Sequence, residues 1–178
     1  MNSIIILGLP GSGKSTYGRL LAERLGTIHI SFGDIYRSIK GEEGNENLKG
    51  KELDEKLLGK LLEMVSPDLE WVVIDGLRPM YFNLINNLFK IKKIIKMVYD
   101  VSDAVQFNKI VERMKNRNRE EDGTEEMIRN RIMGNYEITK KNEFIIRKFI
   151  KNYSKVNGLE YKEINSFYDL NNIIFCVD

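Results

Sequence analysis

One eight-residue pattern constrains this chain more strongly than any other feature of its sequence. The residues Gly8–Ser15 (GLPGSGKS) match the pattern G-x-x-x-x-G-K-[ST] in full. They follow Ser3–Leu7 (SIIIL), an apolar run that predicts a strand buried on both faces. Helical periodicity from Lys14 to Leu25 comes next. The pattern therefore lies between a predicted strand and a predicted helix, and we set aside the alternative of a chance glycine-rich turn.

The residue types of this pattern are those that bind the phosphates of a nucleotide. Glycines allow backbone conformations that a Cβ atom would block, so the loop can wrap closely around phosphate oxygens. Its amides then point inward at the start of a helix, where the helix dipole also favours an anion. Lys14 is expected to reach the β- and γ-phosphates, and the Ser15 hydroxyl is expected to bind Mg²⁺. We therefore predict a site for ATP and Mg²⁺ that is formed by Gly8, Pro10, Gly11, Ser12, Gly13, Lys14, Ser15 and Thr16.

The order of the predicted elements indicates an α/β fold. Four further strands are predicted at Thr27–Ile30, Trp71–Ile74, Ile94–Tyr99 and Leu159–Ile164. Helices are predicted at Leu53–Val65, from Ser102 and Asp103 to about Lys115, from Thr124 onward and from about Phe167. A polar, glycine-rich loop is predicted at Gly41–Gly50. Because strands alternate with helices, we predict one three-layer α/β/α domain over residues 1–178, with a five-stranded parallel sheet.

Composition limits the partners that such a domain can have. The formal net charge is only +2, which gives no indication of nucleic-acid or membrane binding. Cys176 is the only cysteine, so neither an intrachain disulfide nor a cysteine-cluster zinc site can form. No run approaches the ~20 apolar residues of a membrane span, and no signal-peptide core is visible. We expect a cytoplasmic monomer that binds small molecules.

One carboxylate lies where a further magnesium-binding group is expected. Asp75 follows the predicted strand Trp71–Ile74 and precedes Gly76. On its own, an Asp-Gly pair after a strand is usually a turn. In a chain that also contains the loop at Gly8–Ser15, this place is typical of the acid that holds Mg²⁺ through water. We therefore predict that Asp75 contributes to the Mg²⁺ site.

Two further segments resemble the adenylate kinase family of nucleoside monophosphate kinases. The segment Ser31–Arg37 (SFGDIYR) resembles the family's motif Ser-Thr-Gly-Asp followed by an arginine three residues later. The resemblance implies that Arg37 holds the acceptor phosphate and that Asp34 contacts Mg²⁺ through water. The segment Asp75–Pro79 (DGLRP) is similar to the family's Asp-Gly-Phe-Pro-Arg motif, with the proline and the arginine exchanged. It implies that Arg78 also binds phosphate.

The longest similarity to this family covers the arginine-rich stretch at 112–132. The family's lid carries arginines that close over the triphosphate and stabilise the transferring group. The resemblance implies this role for Arg117, Arg119 and Arg131. Only Asn118 separates the first two of them, so the lid is much shorter than in relatives.

The chemistry of phosphoryl transfer also explains why arginines would be present here, independently of the resemblance. Its transition state spreads negative charge over three oxygens, and guanidinium groups meet that charge without losing their protons. The alternative is a solvated helix face with i,i+4 ion pairs, which we assign to Arg113 and Arg129. The resemblance thus implies a P-loop nucleotide kinase fold with an acceptor-binding excursion at about 31–64 and a short lid at about 113–123. We expect both segments to close on binding.

Two positions bear on the choice of acceptor. Phe32 stands where adenylate kinases carry a threonine beside the adenine ring, and Asn83 stands where they carry a glutamine that reads the adenine edge. An asparagine there resembles the uridylate and cytidylate kinases, so AMP and pyrimidine nucleotides are both candidate acceptors. The Phe32 ring could stack on any base, or it could point into the core while the backbone reads the base. Without a side-chain hydrogen bond that reads the base edge, we expect weak discrimination between bases.

Together these features favour a nucleoside monophosphate kinase that transfers the γ-phosphoryl group of MgATP. Two other functions stay open, namely a P-loop small-metabolite kinase and a nucleotide-dependent switch or assembly ATPase. A switch gains little from so many arginines at the γ-phosphate, which argues against the last of these. His29, the only histidine, is interpreted as structural because phosphoryl transfer needs no strong base.

Overall fold

The structure of the chain is a computed structural model that describes residues 1–117, 119 and 122–165, the side chains of 155–157 excepted. The helix predicted from about Phe167 lies outside the described residues, and so do Cys176 and positions 118, 120 and 121 of the predicted lid. None of the described helices combines the length and the apolar character that a membrane-spanning segment requires.

Among the described residues, five strands form one sheet in which every neighbouring pair is parallel. In chain order they are β1 (Asn2–Gly8), β2 (Ile28–Ser31), β3 (Trp71–Asp75), β4 (Lys90–Val98) and β5 (Glu160–Asn165). Their order across the sheet is β2-β3-β1-β4-β5. The prediction of a five-stranded parallel sheet is therefore confirmed.

Helices cover both faces of this sheet. They are α1 (Lys14–Arg24), α2 (Phe32–Gly41), α3 (Gly50–Glu63), α4 (Phe82–Leu88), α5 (Ala104–Asn116) and α6 (Glu125–Asn157), with a short 3-10 turn at Pro79–Tyr81. Successive side chains of a strand point to opposite faces. Ile5 and Leu7 of β1 therefore pack with α2, α3 and α4, whereas Ile4 and Ile6 pack with α1 and α5. The predicted three-layer arrangement is confirmed.

The long helix α6 connects the two outer layers. It begins after Thr124, whose side chain caps its first turn, and it runs for 33 residues. Ile128 and Ile132 are buried with α1 and α5, but Ile146 and Phe149 are buried with α2, α3 and α4. Between them the helix crosses the carboxyl edge of the sheet, where its middle turns lie beside the ends of β1 and β4. This crossing brings α6 to the phosphate loop.

The strand β4 begins at Lys90, four residues before the predicted start at Ile94. The basic segment Lys90–Lys96 (KIKKIIK) is itself part of the strand, because its isoleucines are buried on both faces. Its lysines remain partly exposed, and Lys93 and Lys96 form ion pairs with glutamates of β5 and α6. Their aliphatic stems can lie along the sheet while the charged ends reach these partners.

The helix α2 is absent from the prediction. Its sequence begins Phe-Gly-Asp, and these residue types are weak helix formers. Ile35 and Ile39 are buried in the same cluster as Leu57 and Leu61 of α3, so tertiary packing stabilises a helix that local propensity does not favour. The predicted loop Gly41–Gly50 joins α2 to α3.

Candidate active site

The loop between β1 and α1 has the backbone that close binding of an anion requires. Gly11 and Gly13 have φ angles of 76° and 86°, a region that L side chains rarely adopt. A Cβ atom on Gly11 would lie 2.8 Å from the Ile110 side chain, and a Cβ atom on Gly8 would lie 2.6 Å from Ser12 Oγ. The loop can pack against α5 and close on itself because these positions are glycine.

Ser12 in this loop carries an unsatisfied polar group. Its hydroxyl is buried and has no hydrogen-bond partner among the described residues. Its carbonyl oxygen, by contrast, accepts a hydrogen bond of 2.6 Å from the Tyr99 hydroxyl. Leaving a buried polar group unpaired costs about 1–3 kcal/mol. An unpaired hydroxyl that lowers stability in this way fits a loop in which that hydroxyl donates a hydrogen bond to an oxygen of a bound ligand.

Lys14 opens α1 and folds back over the loop. Its Nζ donates a hydrogen bond of 3.1 Å to the Leu9 carbonyl oxygen. Burial lowers the pKa of Lys14 to about 8, although the charge of Asp75 opposes the change. The remaining contributions, which lower the pKa, come from the arginines assigned to the lid, Arg117, Arg119 and Arg131. Those arginines therefore lie near enough to act on the Lys14 ammonium group.

A cavity of about 490 Å³ opens beside the loop. It is lined by Gly11, Gly13, Lys14, Ser15, Thr16, Arg19, Arg113, Arg117 and Arg119. The structure thus brings five residues of the predicted phosphate loop together with two predicted lid arginines. The sequence indicates no role for Arg19, and Arg113, which also lines this cavity, is assigned from the sequence to a solvated helix face. Helix spacing could have indicated them, because Arg19 follows Ser15 by four residues and Arg113 precedes Arg117 by four.

Arg131 is joined to Arg117 by a carboxylate. Arg117 donates hydrogen bonds to Asp122 through Nε (2.7 Å) and Nη2 (2.9 Å), and Arg131 donates one through Nη1 (2.7 Å). Burial opposes the ionisation of this carboxyl, but the hydrogen bond from Arg117 and the charges of both arginines hold the pKa of Asp122 below its usual value. The end of α5 and the second turn of α6 are thereby connected.

Asp34 lies between two other arginines. It forms an ion pair with Arg37 on the next turn of α2, and Arg119 Nη2 lies 3.8 Å from its Oδ1. Burial opposes ionisation here too, but the hydrogen bond from Arg37 holds the pKa of Asp34 below its usual value. Asp34 therefore faces cationic side chains in this structure, whereas the resemblance implies a contact with Mg²⁺ through water.

Two side chains of β2 hold the buried carboxylate of Asp75. His29 Nε2 lies 2.8 Å from Oδ2, and Ser31 Oγ donates a hydrogen bond of 3.4 Å to Oδ1. Ser31 is aligned with Asp75 in the parallel register, so His29, two residues earlier, points to the same face of the sheet. The sequence interpretation missed this contact, because the register between two strands cannot be read from either strand alone.

The pair of His29 and Asp75 depends on a glycine of α1. A Cβ atom on Gly18 would lie 2.5 Å from His29 Cδ2 and 2.6 Å from Nε2. We expect Gly18→Ala to lower the free energy of unfolding by about 1–3 kcal/mol, because the ring must move and leave Asp75 without its partner. Chemical denaturation measures this loss.

The control for this prediction is Gly59→Ala in α3. No other described group lies within 4 Å of a Cβ atom there, and alanine in a helix is favoured over glycine by about 0.5–1 kcal/mol. If Gly18→Ala is as stable as Gly59→Ala, the packing of His29 against α1 is incorrect.

A second cavity, of about 390 Å³, is lined by Gly8 at the start of the loop and by Arg78. The segment Gly76–Met80 lines it together with a polar side of α6 that carries Asn135, Thr139 and Asn142. Arg78 is exposed, and within the described part of the chain its guanidinium group forms no hydrogen bond or ion pair. Such an arginine is available to an anion.

Phe32 and Asn83, the two positions expected to bear on the choice of acceptor, line neither of these two cavities. Phe32 is only 4% exposed, and its ring centroid lies 5.4 Å from that of Tyr81. The ring belongs to the core because burial of this large apolar side chain is favourable, which is the second of the two alternatives for Phe32. Asn83 lies on the exposed side of α4, where its Oδ1 accepts a hydrogen bond of 3.4 Å from the Tyr153 hydroxyl of α6. The buried Phe32 ring is therefore not open to a base, and the Oδ1 of Asn83 already has a hydrogen-bond partner.

Comparison with known proteins agrees with this geometry. The AAA domain family matches residues 4–134, which is more than half of the chain. An adenylate kinase of Nocardia farcinica is 33% identical over 144 residues, which cover 72% of this chain and 77% of that protein. The chain belongs to the adenylate kinase family. The family resemblance and the P-loop fold expected from the sequence are thereby confirmed.

Shorter matches connect this adenylate kinase family member to other relatives. An adenylate kinase of Thermotoga neapolitana is 46% identical over 46 residues, which cover 26% of this chain and 21% of that protein. A cytidylate kinase of Aeropyrum pernix is 58% identical over 40 residues, which cover 22% of this chain and 23% of that protein. Over such segments the chain spans roughly a fifth of the length of these relatives.

Proposed function

We propose that this chain is a nucleoside monophosphate kinase that transfers the γ-phosphoryl group of ATP to a nucleoside monophosphate. The observation that carries the proposal is the cavity in which Lys14, Arg117 and Arg119 line one space beside the phosphate loop. Phosphoryl transfer requires little covalent chemistry from a protein, so catalysis consists of positioning and of stabilising charge. Several cations around one phosphate-sized space can provide both.

On the donor side, Gly8–Thr16 would bind the triphosphate of ATP. The positive φ angles of Gly11 and Gly13 turn the backbone of the loop around the anion. The buried Ser12 hydroxyl, unpaired within the described residues, is a donor that fits a ligand oxygen. Lys14 would exchange its hydrogen bond with a loop carbonyl for contacts with the β- and γ-phosphates.

Three oxygen-bearing side chains fit a Mg²⁺ ion that accompanies the nucleotide. Mg²⁺ keeps several waters and is held by one or two protein groups besides the phosphates. Ser15 would bind the ion directly, whereas Asp34 and Asp75 would hold it through its waters, and His29 fixes the orientation of the Asp75 carboxylate. When bound, the ion neutralises charge on the phosphates.

On the acceptor side, Arg37 and Arg78 would hold the phosphate of the nucleoside monophosphate. Arg78 has the greater freedom, because no carboxylate pairs with it within the described part of the chain. Arg37 already forms an ion pair with Asp34, so its guanidinium group would have to contact both that carboxylate and the ligand phosphate. We assign the excursion at about 31–64 to acceptor binding and the segment at about 113–123 to the lid.

A coupled assay of ADP formation with AMP, CMP, UMP, GMP and dTMP tests this function. We expect ADP to form only when a nucleoside monophosphate is present. We also expect kcat/KM for AMP, CMP and UMP to differ by less than about 100-fold, because a site without a polar group for the base edge discriminates weakly. Phe32 is buried and has no polar side-chain group, and the Oδ1 of Asn83 already accepts a hydrogen bond from Tyr153.

The two alternative functions predict different outcomes in the same assay. Slow ATP hydrolysis that does not depend on any acceptor would indicate a switch or an assembly ATPase. Loss of activity on every nucleotide, with activity on another phosphate acceptor, would indicate a small-metabolite kinase.

A further inference from the structure

We propose that the exposed side of α6 binds single-stranded nucleic acid through a cluster of cations around one aromatic ring. This surface, the basic face, consists of Lys140, Lys141, Phe144, Arg147, Lys148 and Lys151. The role goes beyond the proposed kinase function and does not depend on it. The net charge of only +2 does not reveal the basic face, because acidic residues elsewhere in the chain balance its cations.

The six side chains of the basic face lie on one side of the helix. Each of the five cations is three, four or seven positions from Phe144, a spacing that places residues on the same helical face. All six residues are exposed, whereas Ile146 and Phe149 on the opposite side of α6 are buried in the core. At 1.5 Å per residue, the basic face is about 16 Å long.

Four of these five cations have no carboxylate partner within the described part of the chain. The exception is Arg147, whose Nε lies 3.3 Å from Glu143 Oε1. The other oxygen of that carboxylate accepts a hydrogen bond of 2.6 Å from Lys96 of β4, so Glu143 is turned toward the sheet. Lys148 and Lys151 have no acidic residue three or four positions away in the sequence. Ion pairs along the helix therefore do not neutralise the basic face.

The stability of α6 does not account for these charges either. Like charges four positions apart destabilise a helix, and Arg147 and Lys151 form such a pair. The helix dipole favours cations only within the last turn, but α6 continues past Lys151 to Asn157. A bound polyanion would remove the repulsion between these cations, which is the condition under which the basic face is favourable.

The ring at the centre of the basic face determines which polyanion fits. Phe144 is 72% exposed, and cations lie on the helical turns before and after it. Single-stranded nucleic acids bind where cations contact the phosphates and an aromatic ring stacks on an unpaired base. A strand with stacked bases has one phosphate per about 3.4 Å, so about five phosphates match the length of the basic face. A duplex hides the faces of its bases, and Phe144 therefore favours a single strand.

An anionic membrane surface is a poorer match than a nucleic acid. A helix that lies in a membrane interface buries a complete apolar face among the lipids. The apolar sides of α6 are already buried in the two core clusters of the domain. Phe144 is the one apolar side chain of the basic face, which is too little for this mode of binding.

The basic face is separate from the candidate active site. None of its six residues lines the cavity beside the phosphate loop or the cavity beside Arg78. A strand bound to α6 would leave both cavities open. Substitutions in the basic face should therefore leave any phosphoryl-transfer activity at its wild-type value.

Fluorescence anisotropy of labelled single strands of about 12 nucleotides tests the proposal. RNA and DNA of the same mixed sequence are compared, and binding of either strand supports it. We expect a Kd of about 10⁻⁶–10⁻⁴ M at physiological salt, the range for binding through phosphates. The slope of log K against log salt should be about −3.5, because each of five contacts contributes about −0.7. A Kd weaker than about 10⁻³ M for both strands would overturn the proposal.

Two variants separate the roles of charge and of stacking. Lys141→Gln with Lys148→Gln should weaken binding by about 10-fold or more at 0.1 M salt and reduce the magnitude of the salt slope by about 1.4. Phe144→Ala should weaken binding by about fivefold or more without a change in that slope. The side chains are exposed, so both proteins should fold. The wild-type affinity in either variant would contradict the basic face as the binding surface.

The matched control removes the same charge elsewhere on the surface. Lys49→Gln with Lys51→Gln changes two exposed lysines at the start of α3, and this protein should bind the strand within about twofold of the wild type. An equal loss in this control would show only a general attraction between charges. Lys14→Met should also bind the strand normally. Loss of binding in Lys14→Met would place the strand in the phosphate cavity and refute the proposal.

Two other ligands test the stated chemistry of the partner. A duplex of the same sequence should bind without any effect of Phe144→Ala, because its bases offer no face to the ring. Vesicles of phosphatidylserine and phosphatidylcholine should bind more weakly than the single strand and equally in wild type and Phe144→Ala. Vesicle binding that is tighter than strand binding and is lost in Phe144→Ala would identify the basic face as a membrane-binding surface and overturn the proposal.

Discussion

Replacing Lys14 with methionine is expected to abolish phosphoryl transfer and to make the nucleotide-free protein more stable. The loss of activity should exceed about 10³-fold, because the ammonium group supplies charge at the phosphates that no neutral side chain replaces. The gain in stability should be about 1–2 kcal/mol, since burial disfavours the Lys14 charge in the folded state. Lys14 would then be a site residue that lowers the stability of the folded protein but is required for its function.

Kinetics and chemical denaturation of the same preparations measure the two effects. The control is Lys148→Met on the exposed face of α6, which should change neither quantity. A folded Lys14→Met protein with near-normal turnover would refute the assignment of the phosphate loop. A Lys14→Met protein less stable than the wild type would show that Lys14 is held by favourable contacts.

The stability difference should depend on pH in a defined direction. The pKa of Lys14 is lowered from its ordinary value of 10.5 to about 8 in the folded protein, chiefly by burial. Between these two values the unfolded state binds more protons than the folded state, so the stability of the wild type rises with pH. The advantage of Lys14→Met should therefore be complete below about pH 8 and shrink as the pH rises toward 10.5. A constant advantage up to pH 10 would contradict this account.

Arg117→Ala and Arg119→Ala are each expected to lower kcat by about 10³-fold or more, the lower end of the effect of an arginine finger. Contacts that form mainly in the transition state act on kcat, so KM for ATP should change much less. Arg129→Ala is the matched control. Arg129 pairs with Glu125 and lies over the Phe107 ring, with 5.3 Å between its Cζ and the ring centroid.

Steady-state kinetics of the three arginine variants test this division. If either Arg117→Ala or Arg119→Ala behaves like Arg129→Ala, that arginine belongs to the solvated surface and has no part in transfer. If KM for ATP rises while kcat is unchanged, the arginine binds the ground state only.

The sequence predicts most of the sheet because its strands are short apolar runs whose character is local. Ser3–Leu7 and Trp71–Ile74 could be identified in this way, and both lie within strands of the structure. The helix α2 could not be identified, since Phe32 and Gly33 disfavour its start and its stability comes from packing on α3. The early start of β4 could not be predicted from the sequence either, because lysines interrupt its apolar pattern.

The residues of the site differ in the same way, because some roles follow from local sequence and others from tertiary contacts. The loop at Gly8–Ser15 could be predicted because its chemistry is carried by consecutive residues. The contact of His29 with Asp75 depends on the register of two strands that are 46 positions apart at these residues. The link of Asp122 to Arg131 depends on how the end of α5 meets α6. Phe32 could be assigned to the core only once the position of Tyr81 was known.

The most direct test of the central claim follows the γ-phosphorus of ATP by ³¹P NMR in the presence of Mg²⁺ and a nucleoside monophosphate. A kinase moves this phosphorus onto the acceptor, where it becomes the β-phosphate of a nucleoside diphosphate. We predict that with AMP or CMP the γ signal is replaced by diphosphate signals, and that little inorganic phosphate forms. Inorganic phosphate that appears at the same rate with and without every acceptor would contradict the claim.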